Sequence, residues 1–565
     1  MLFPPDASDL LSRIPLSAKT ILDVGCGTGS LAAAYRSLNP KARWLGIDID
    51  PAAVAPHLDR MVTMDVESGP LPFDVPDGID CIIYDGILEH LRDPWAVIRR
   101  HAQSLTANGI MLICVPNAGY WRVAERLLRG TPAHHEAPDR QCPPSGWFGP
   151  DAMQRNLIDA GLTPAGATAR EPDPEAAARF AASLALGLEA LGIDPRDYTR
   201  RASASHMIWR AMKEPRQRIM VAGTMLEPVG GVSDVRVVNP LQAIATDPMV
   251  TAGVVERLET GQGGDGDPRI FVLHRPALQG PDGHNLLRRL TGAGFLIVTE
   301  FDDLPDRFDI MRRGGELSFK GVHAIQTSTV AMAAAVRPYN PEIAVFPNAV
   351  GSLPDIRNFA DQKTMTLFFG ALNRERDWLA FMPAINAVAA MAGERLAFQV
   401  VHDQAFFGAL ETPHKTFTPT CDYSTYLRIL GGCEISFMPL ADTPFNRAKS
   451  DLKFIEAASC RVAALASSVV YSNSIADGQT GSVFRDPVEF HARLLRLLAM
   501  PELARDMADS ARRYVTGTRM LAYQVAPRIA WYRSLWSRRT QLQAARRERM
   551  QAIPGGDGDT GQVPR

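Results

Sequence analysis

Between Ile21 and Gly29 the chain reads Ile-Leu-Asp-Val-Gly-Cys-Gly-Thr-Gly, an apolar run that passes into three glycines at alternate positions, with Asp23 two residues ahead of the first. Gly25, Gly27 and Gly29 let the backbone turn sharply and approach a ligand closely, which a Cβ would prevent. Ser30 to Leu38 reads as the helix that follows, with the positive end of its dipole at the turn. The spacing is G-x-G-x-G rather than the G-x-G-x-x-G of a dinucleotide fingerprint. Asp48 ends a second apolar stretch, Trp44 to Ile49, about 20 residues beyond the loop, where a ribose diol is usually held. Asp65 ends a third apolar stretch. His90 follows a fourth strand, Asp80 to Tyr84, and is a candidate general base because an imidazole accepts a proton near neutral pH.

A second chemistry-bearing stretch runs from Phe445 to Glu456 and contains Lys449, Ser450 and Lys453. Two ammonium groups near the start of a helix, with Ser450 as its expected cap, suit a diphosphate. Arg374 and Arg376 lie on another loop expected to reach the same cleft. Gly230 and Gly231 form a glycine turn after the strand Ile219 to Ala222. His274, at a strand end, is a further candidate. His134 and His135 lack spaced partners and read as loop histidines rather than metal ligands, so no metal is expected.

The elements around these residues alternate strand and helix. A first series runs to Ala202–Met212, and an irregular segment from Tyr120 to Trp147 is expected to cover its pocket. The pattern restarts at Arg218, and a third series opens at Thr364. The boundaries expected are 1–213, a linker at 214–217, two lobes at 218–350 and 351–537, and a disordered tail at 538–565. The fold class is α/β throughout.

The Asp23–Gly29 stretch, with acids at successive strand ends, resembles motif I of class I S-adenosylmethionine-dependent methyltransferases of type 11/12, over roughly the first 210 residues. That resemblance implies a glycine turn holding the methionine end of S-adenosyl-L-methionine, with Asp23 orienting it, Asp48 on the ribose and Asp65 near the adenine. Pro347-Asn348, Gly370 to Asn373, Phe445 to Glu456 and Asp477 to Gly481 resemble GT-B glycosyltransferases of the group 1, family 4-like class, over about residues 216 to 535. This implies two lobes around a cleft, a terminal helix at Tyr523–Trp536, and a nucleotide-diphosphate sugar as donor. Glu456 matches the second glutamate of that family's pair, which holds the nucleotide ribose. Eight positions earlier stands Ala448, so the first glutamate is missing and retaining or inverting stereochemistry stays open.

With 565 residues the chain is too long for one ordinary core. A net charge of −2, a pI near 6.7 and 22% charged residues give no basic surface for nucleic acid. Seven cysteines without a C-x-x-C pair point to reduced thiols and the cytoplasm. The first residues lack a secretory pattern, and no apolar run reaches the length of a membrane helix, about 20 residues; peripheral membrane contact stays open. The expectation is a bifunctional transferase: methyl transfer to a sugar hydroxyl, and glycosyl transfer to a glycan acceptor of the cell surface. The rivals are an inactive carbohydrate-binding second half, or a nucleotide-sugar epimerase.

Overall fold

A computed structural model describes residues 2–3, 9–50, 55–131, 148–225, 230–256, 266–304, 316–357 and 364–553. His134 and His135 lie outside the described residues. The first sheet contains β1 (Thr20–Val24), β2 (Arg43–Asp48), β3 (Arg60–Thr63), β4 (Ile79–Asp85), β5 (Leu105–Pro116), β6 (Thr163–Arg170) and β7 (His206–Met212), in the order 3-2-1-4-5-7-6. Only β7 runs antiparallel to its neighbours. The second sheet is all parallel, with β8 (Ile219–Met225), β9 (Val250–Val254), β10 (Arg269–His274), β11 (Leu296–Phe301), β12 (Ala324–Thr327) and β13 (Ile343–Val345), in the order 13-12-11-10-8-9. The third is also parallel, with β14 (Met365–Gly370), β15 (Leu396–Val401), β16 (Lys415–Thr418), β17 (Ile435–Met438), β18 (Ala463–Ser467) and β19 (Ser482–Phe484), in the order 16-15-14-17-18-19.

Strands covered on both faces read as continuous apolar runs, and Cys81–Tyr84, Ile110–Val115 and Ile270–Leu273 are all buried. Several helices open on Asp-Pro: the carboxylates of Asp93, Asp173, Asp194 and Asp486 accept from first-turn N–H groups, and the proline that follows takes the position where no N–H is needed. Strand order reverses direction at β1/β4, β8/β10 and β14/β17. In open α/β sheets a ligand binds outside the carboxyl ends of strands at such switch points. The chain is therefore α/β, with one mixed and two parallel Rossmann-like sheets.

Three features depart from the sequence reading. Between β6 and β7 the chain forms three helices, Pro174–Ser183, Ala185–Ala190 and Pro195–Ala202. Because Arg170 pairs with His206, itself paired with Pro116, this insertion stands at the ligand end of the sheet. After the Gly230–Gly231 turn one continuous helix is expected over Val235–Ala245, whereas the structure has a π turn, Asp234–Val238, followed by an α-helix, Asn239–Ile244; Pro240 cannot donate to the carbonyl four residues back. The disordered tail expected from residue 538 is corrected: Arg539–Gln551 is a helix. Its Arg546 donates to Gly321 O at 2.5 Å and its Arg549 to Val322 O at 2.7 Å, so arginines that read as solvated dock it on the second sheet. Residues 554–565 lie outside the described residues. The crossing helix is present over Ala522–Ser537, and Tyr532 Oη donates to Gln326 Oε1 at 2.8 Å.

The first half is not detached from the second. Leu11, Ile14 and Leu16 are buried in one apolar cluster that joins Ile21, Tyr35 and Trp44 of the first sheet's layer to Val237, Leu241 and Ile244 of the second's. Leu16 N donates to the buried Thr246 Oγ1 at 3.0 Å, Leu353 N to Ser37 O at 2.8 Å, and Lys41 Nζ lies 4.7 Å from the centre of the Tyr523 ring. Burial of each leucine or isoleucine contributes about 1.5–3 kcal/mol. Residues 1–214 expressed alone should therefore melt well below the intact protein or aggregate, and recover on co-expression with residues 215–565. Equal melting temperatures of the fragment and the same half in the intact chain would show that this shared core adds nothing.

Candidate active sites

At the end of β1 the backbone takes left-handed conformations at Gly25 (φ 80°), Gly27 (φ 50°) and Gly29 (φ 71°). A Cβ on Gly25 would stand 2.2 Å from Ile87 Cγ1, and one on Gly29 2.5 Å from Leu58 Cδ1, so these two glycines are required by packing. A Cβ on Gly27 would meet nothing within 4 Å among the described residues. Gly27 therefore borders open space, as a ligand cradle does. Asp48 ends β2 and builds the loop: its Oδ2 accepts from Gly27 N at 2.8 Å and its Oδ1 from Asp50 N at 3.0 Å. Gly46, which sequence reasoning passed over, belongs here too, because a Cβ on it would meet Leu58 Cδ2 at 2.1 Å and Cys26 Sγ at 2.7 Å.

Carboxylates ring this cradle. Asp23 is buried, and its carboxyl is pushed up to about 7, chiefly by burial and then by Asp85 and Asp48. Asp85, at the end of β4, pairs with Arg170 at 2.9 Å, and Arg170 also donates to Cys114 Sγ at 3.3 Å. Such a ring suits a cationic ligand. Asp65 is exposed two residues past β3, where its Oδ1 accepts from Glu67 N at 2.9 Å. His90 is half-buried in the single turn Leu88–His90 just beyond β4, at the ligand end of the sheet.

The folded protein thus keeps a proton on Asp23 that the unfolded chain releases near the ordinary value of 3.8. The folded state binds more protons across that interval, so stability falls as pH rises from 3.8 to about 7. The melting temperature of the ligand-free protein should decline over this window, and Asp23→Asn should flatten the decline. An Asp23→Asn profile that matches wild type would place the slope on other groups.

The helix insertion between β6 and β7 brings aromatic side chains to the same end. The Trp121 and Phe180 rings lie 5.8 Å apart and those of Phe180 and Tyr198 6.4 Å apart, all half-buried. Trp121 Nε1 is buried without a hydrogen-bond partner among the described residues. Asn117, just after β5, ties the insertion down by donating to Arg201 O at 2.8 Å and Ala204 O at 2.9 Å.

In the second half the stretch 445–456 lies between the two parallel sheets and is held from both. Lys449 Nζ pairs with Asp303, beyond β11, and burial pulls its pKa down against that partner. Thr329 Oγ1 donates to Ala448 O at 3.1 Å and Asn348 Nδ2 to Ser450 Oγ at 2.7 Å. The helix is Leu452–Ser459, so Ser450 stands outside it and the expected cap is not formed. Lys453 Nζ donates to Tyr426 Oη at 2.9 Å and contacts Glu456 Oε2 at 3.3 Å, while Tyr423 Oη donates to Glu456 Oε1 at 3.0 Å. Both oxygens of the buried Glu456 are thus occupied by side chains of its own lobe. Gly231, at φ 78°, faces that cluster from the other lobe, since a Cβ on it would stand 3.3 Å from the Tyr423 ring. Gly230 precedes it, and a Cβ there would meet nothing within 4 Å among the described residues.

Arg374 is half-buried and donates to Asp377 Oδ2 and Asn446 Oδ1, both at 3.0 Å, so it reaches the 445–456 stretch. Arg376 does not join it: it is exposed on the short helix Glu375–Trp378, and no hydrogen bond or ion pair among the described residues links it to the cluster. Ala448 is buried and belongs to the second sheet's apolar cluster, so a glutamate there would bring a carboxylate into that cluster. His274 is fully buried, with neither ring nitrogen hydrogen-bonded among the described residues; its pKa is pushed down to about 4, chiefly by burial, with Arg275 and Arg236 adding. His402, unmarked in the sequence reading, follows β15 at φ 75° and stacks on Tyr426 with ring centres 6.0 Å apart.

Residues 22–111 match the family described as "Methyltransferase domain". Trans-aconitate 2-methyltransferase of Azoarcus sp. is 28% identical over 128 residues, 22% of this chain and 50% of that protein; the Klebsiella pneumoniae enzyme is 26% identical over 148 residues, 25% and 58% of the two chains. The chain spans about half the length of the curated relatives it matches. Among solved structures, Anabaena HepE in complex with UDP and glucose aligns with a TM-score of 0.41 and 12% identity over 56% of this chain and all of that one. A glycosyltransferase from Rickettsia africae aligns with a TM-score of 0.40 and 11% identity over 57% of this chain and 99% of that one. The stretch on the first sheet that bears the glycine cradle is thus similar to a methyltransferase domain, and two parallel sheets follow it in the chain.

Proposed function

We propose that the protein transfers a methyl group from S-adenosyl-L-methionine to a sugar hydroxyl and, in its second half, a glycosyl group from a nucleotide-diphosphate sugar to a glycan acceptor. The observation that carries the first activity is the open cradle at Gly27, ringed by Asp23, Asp48 and Asp85. These residues fit S-adenosyl-L-methionine, whose sulfonium and ammonium groups are cationic and whose bound form supplies an activated methyl group. Asp48 would hold the ribose, and Asp65 would stand at the adenine end. His90 would take the proton of the acceptor hydroxyl. The Trp121, Phe180 and Tyr198 rings support a sugar acceptor, since ligand sites combine aromatic walls with a few polar donors.

For glycosyl transfer, Lys449 and Arg374 supply positive charge beside the 445–456 stretch, where a departing diphosphate needs it. Lys453 would act with them after exchanging Tyr426 and Glu456 for the donor. Gly230 and Gly231 would close on the donor from the other lobe. A second reading, nucleotide-sugar binding without transfer, draws on the apolar burial of Ala448 where the related family has a glutamate. The six described cysteines are free thiols, which supports a cytoplasmic location. No helix among the described residues is long and apolar enough to cross a membrane.

Calorimetric titration of the full-length protein tests the reading. One equivalent each of S-adenosyl-L-methionine and a nucleotide sugar should bind additively, and release of free nucleoside diphosphate should require an acceptor. Absence of cofactor binding would overturn the methyltransferase assignment. Donor binding with no released nucleoside diphosphate, across a panel of glycans, would select the second reading. Including tricarboxylates in the acceptor panel tests the substrate class in the names of the curated relatives.

A further inference from the structure

A cavity of about 510 Å³ lies between the C-terminal helix Arg539–Gln551 and the second sheet, at the edge opposite the interlobe cleft. Phe295, Leu296 and His323, at or just before the starts of β11 and β12, form one wall, whereas the cleft opens at the far ends of those strands. At about 3.3 Å per residue the six residues of β11 separate the two by roughly 20 Å. The other wall is Trp536, Arg539, Thr540, Gln543 and Arg547, and no carboxylate among the described residues lines the space.

The polar groups there are arranged as donors. Ile297 N donates to His323 Nδ1 at 2.9 Å, so that nitrogen is an acceptor and the hydrogen of the neutral ring sits on Nε2. Burial keeps the ring neutral by pushing its pKa down to about 4. His323 Nε2 therefore donates to Gln543 Oε1, at 2.6 Å. With its oxygen committed, Gln543 offers its amide N–H groups to the cavity. Arg539 and Arg547 stand four residues before and after it, so both project from the same face about two turns, or 12 Å, apart. Guanidinium groups bind phosphate oxygens in pairs of parallel hydrogen bonds.

We propose that this cavity is a ligand site, separate from the interlobe cleft, for a small molecule carrying a phosphate or diphosphate group, held by Arg539, Gln543 and Arg547. It does not depend on which reactions the two halves perform. Inorganic pyrophosphate titrated into the full-length protein, into Arg539→Gln/Arg547→Gln and into Gln543→Glu gives the test. Both arginines are exposed, so their replacement leaves the fold intact. Gln543→Glu keeps an acceptor for His323 while turning the donor into a carboxylate. Each variant should lose one equivalent of pyrophosphate relative to wild type, or bind it at least about tenfold more weakly, with the wild-type affinity falling as salt rises. Pyrophosphate binding unchanged in both variants would overturn the proposal. Titration with ADP separates the sources: tighter binding than pyrophosphate, lost in both variants, assigns a nucleotide, and equal binding, likewise lost, assigns the phosphoryl group alone.

Discussion

Gly27→Ala is expected to leave the first sheet folded and to weaken S-adenosyl-L-methionine binding by about a hundredfold or more, a loss near 2.8 kcal/mol at 1.4 kcal/mol per tenfold. The added methyl group enters open space, and its cost to the fold is limited to the left-handed backbone, roughly 1–2 kcal/mol. That same space is where the cofactor must approach the chain. Gly25→Ala makes the contrast, because its Cβ would overlap Ile87 and destabilise the sheet before any ligand is added. Circular dichroism with calorimetry separates the outcomes. Wild-type affinity in Gly27→Ala would move the cofactor away from this loop.

Lys453→Ala is expected to have the largest effect in the second half, on both donor use and stability. It removes the partner of Glu456 Oε2, leaving a buried carboxylate with Tyr423 alone, and an unsatisfied buried acceptor costs about 1–3 kcal/mol. Lys453→Ala/Glu456→Gln removes the charge imbalance, so it should melt above Lys453→Ala while remaining defective in donor turnover. Losing charge stabilisation of a leaving group lowers turnover, whereas losing uniform nucleotide binding raises the Michaelis constant. Lys453→Ala should show the first signature and Glu456→Gln the second. Normal glycosyl transfer by the double variant would remove both residues from the donor site.

The glycine cradle was legible because its parts are close in sequence: Asp23, the three glycines and Asp48 lie within 26 positions, at the ends of adjacent strands. Arg170 was not, since it reaches Asp85 only through the pairing of β6 with β7. The helices between those strands hid in an alanine-rich stretch, where Ala176, Ala177 and Ala181 are the buried face and too small to mark an apolar period. Lys449 and Lys453 were picked out as cations, but their partners Asp303 and Tyr426 come from distant segments, and a donor would have to compete with those contacts. The helix Arg539–Gln551 was read as tail because arginines dominate it. Its hydrogen bonds run to backbone carbonyls of the second sheet's layer, which no pattern of side chains reveals.

The central claim is that one chain methylates a sugar and extends a glycan. Its most direct test is mass analysis of glycans incubated with the full-length protein, methyl-labelled S-adenosyl-L-methionine and a panel of nucleotide sugars. The expected product carries both one added sugar and one labelled methyl group on a sugar oxygen, with the methyl lost in Gly27→Ala and the added sugar lost in Lys453→Ala. Label that appears only on a carboxylate or amine, or a methylated glycan to which no nucleotide sugar ever adds a residue, would contradict it.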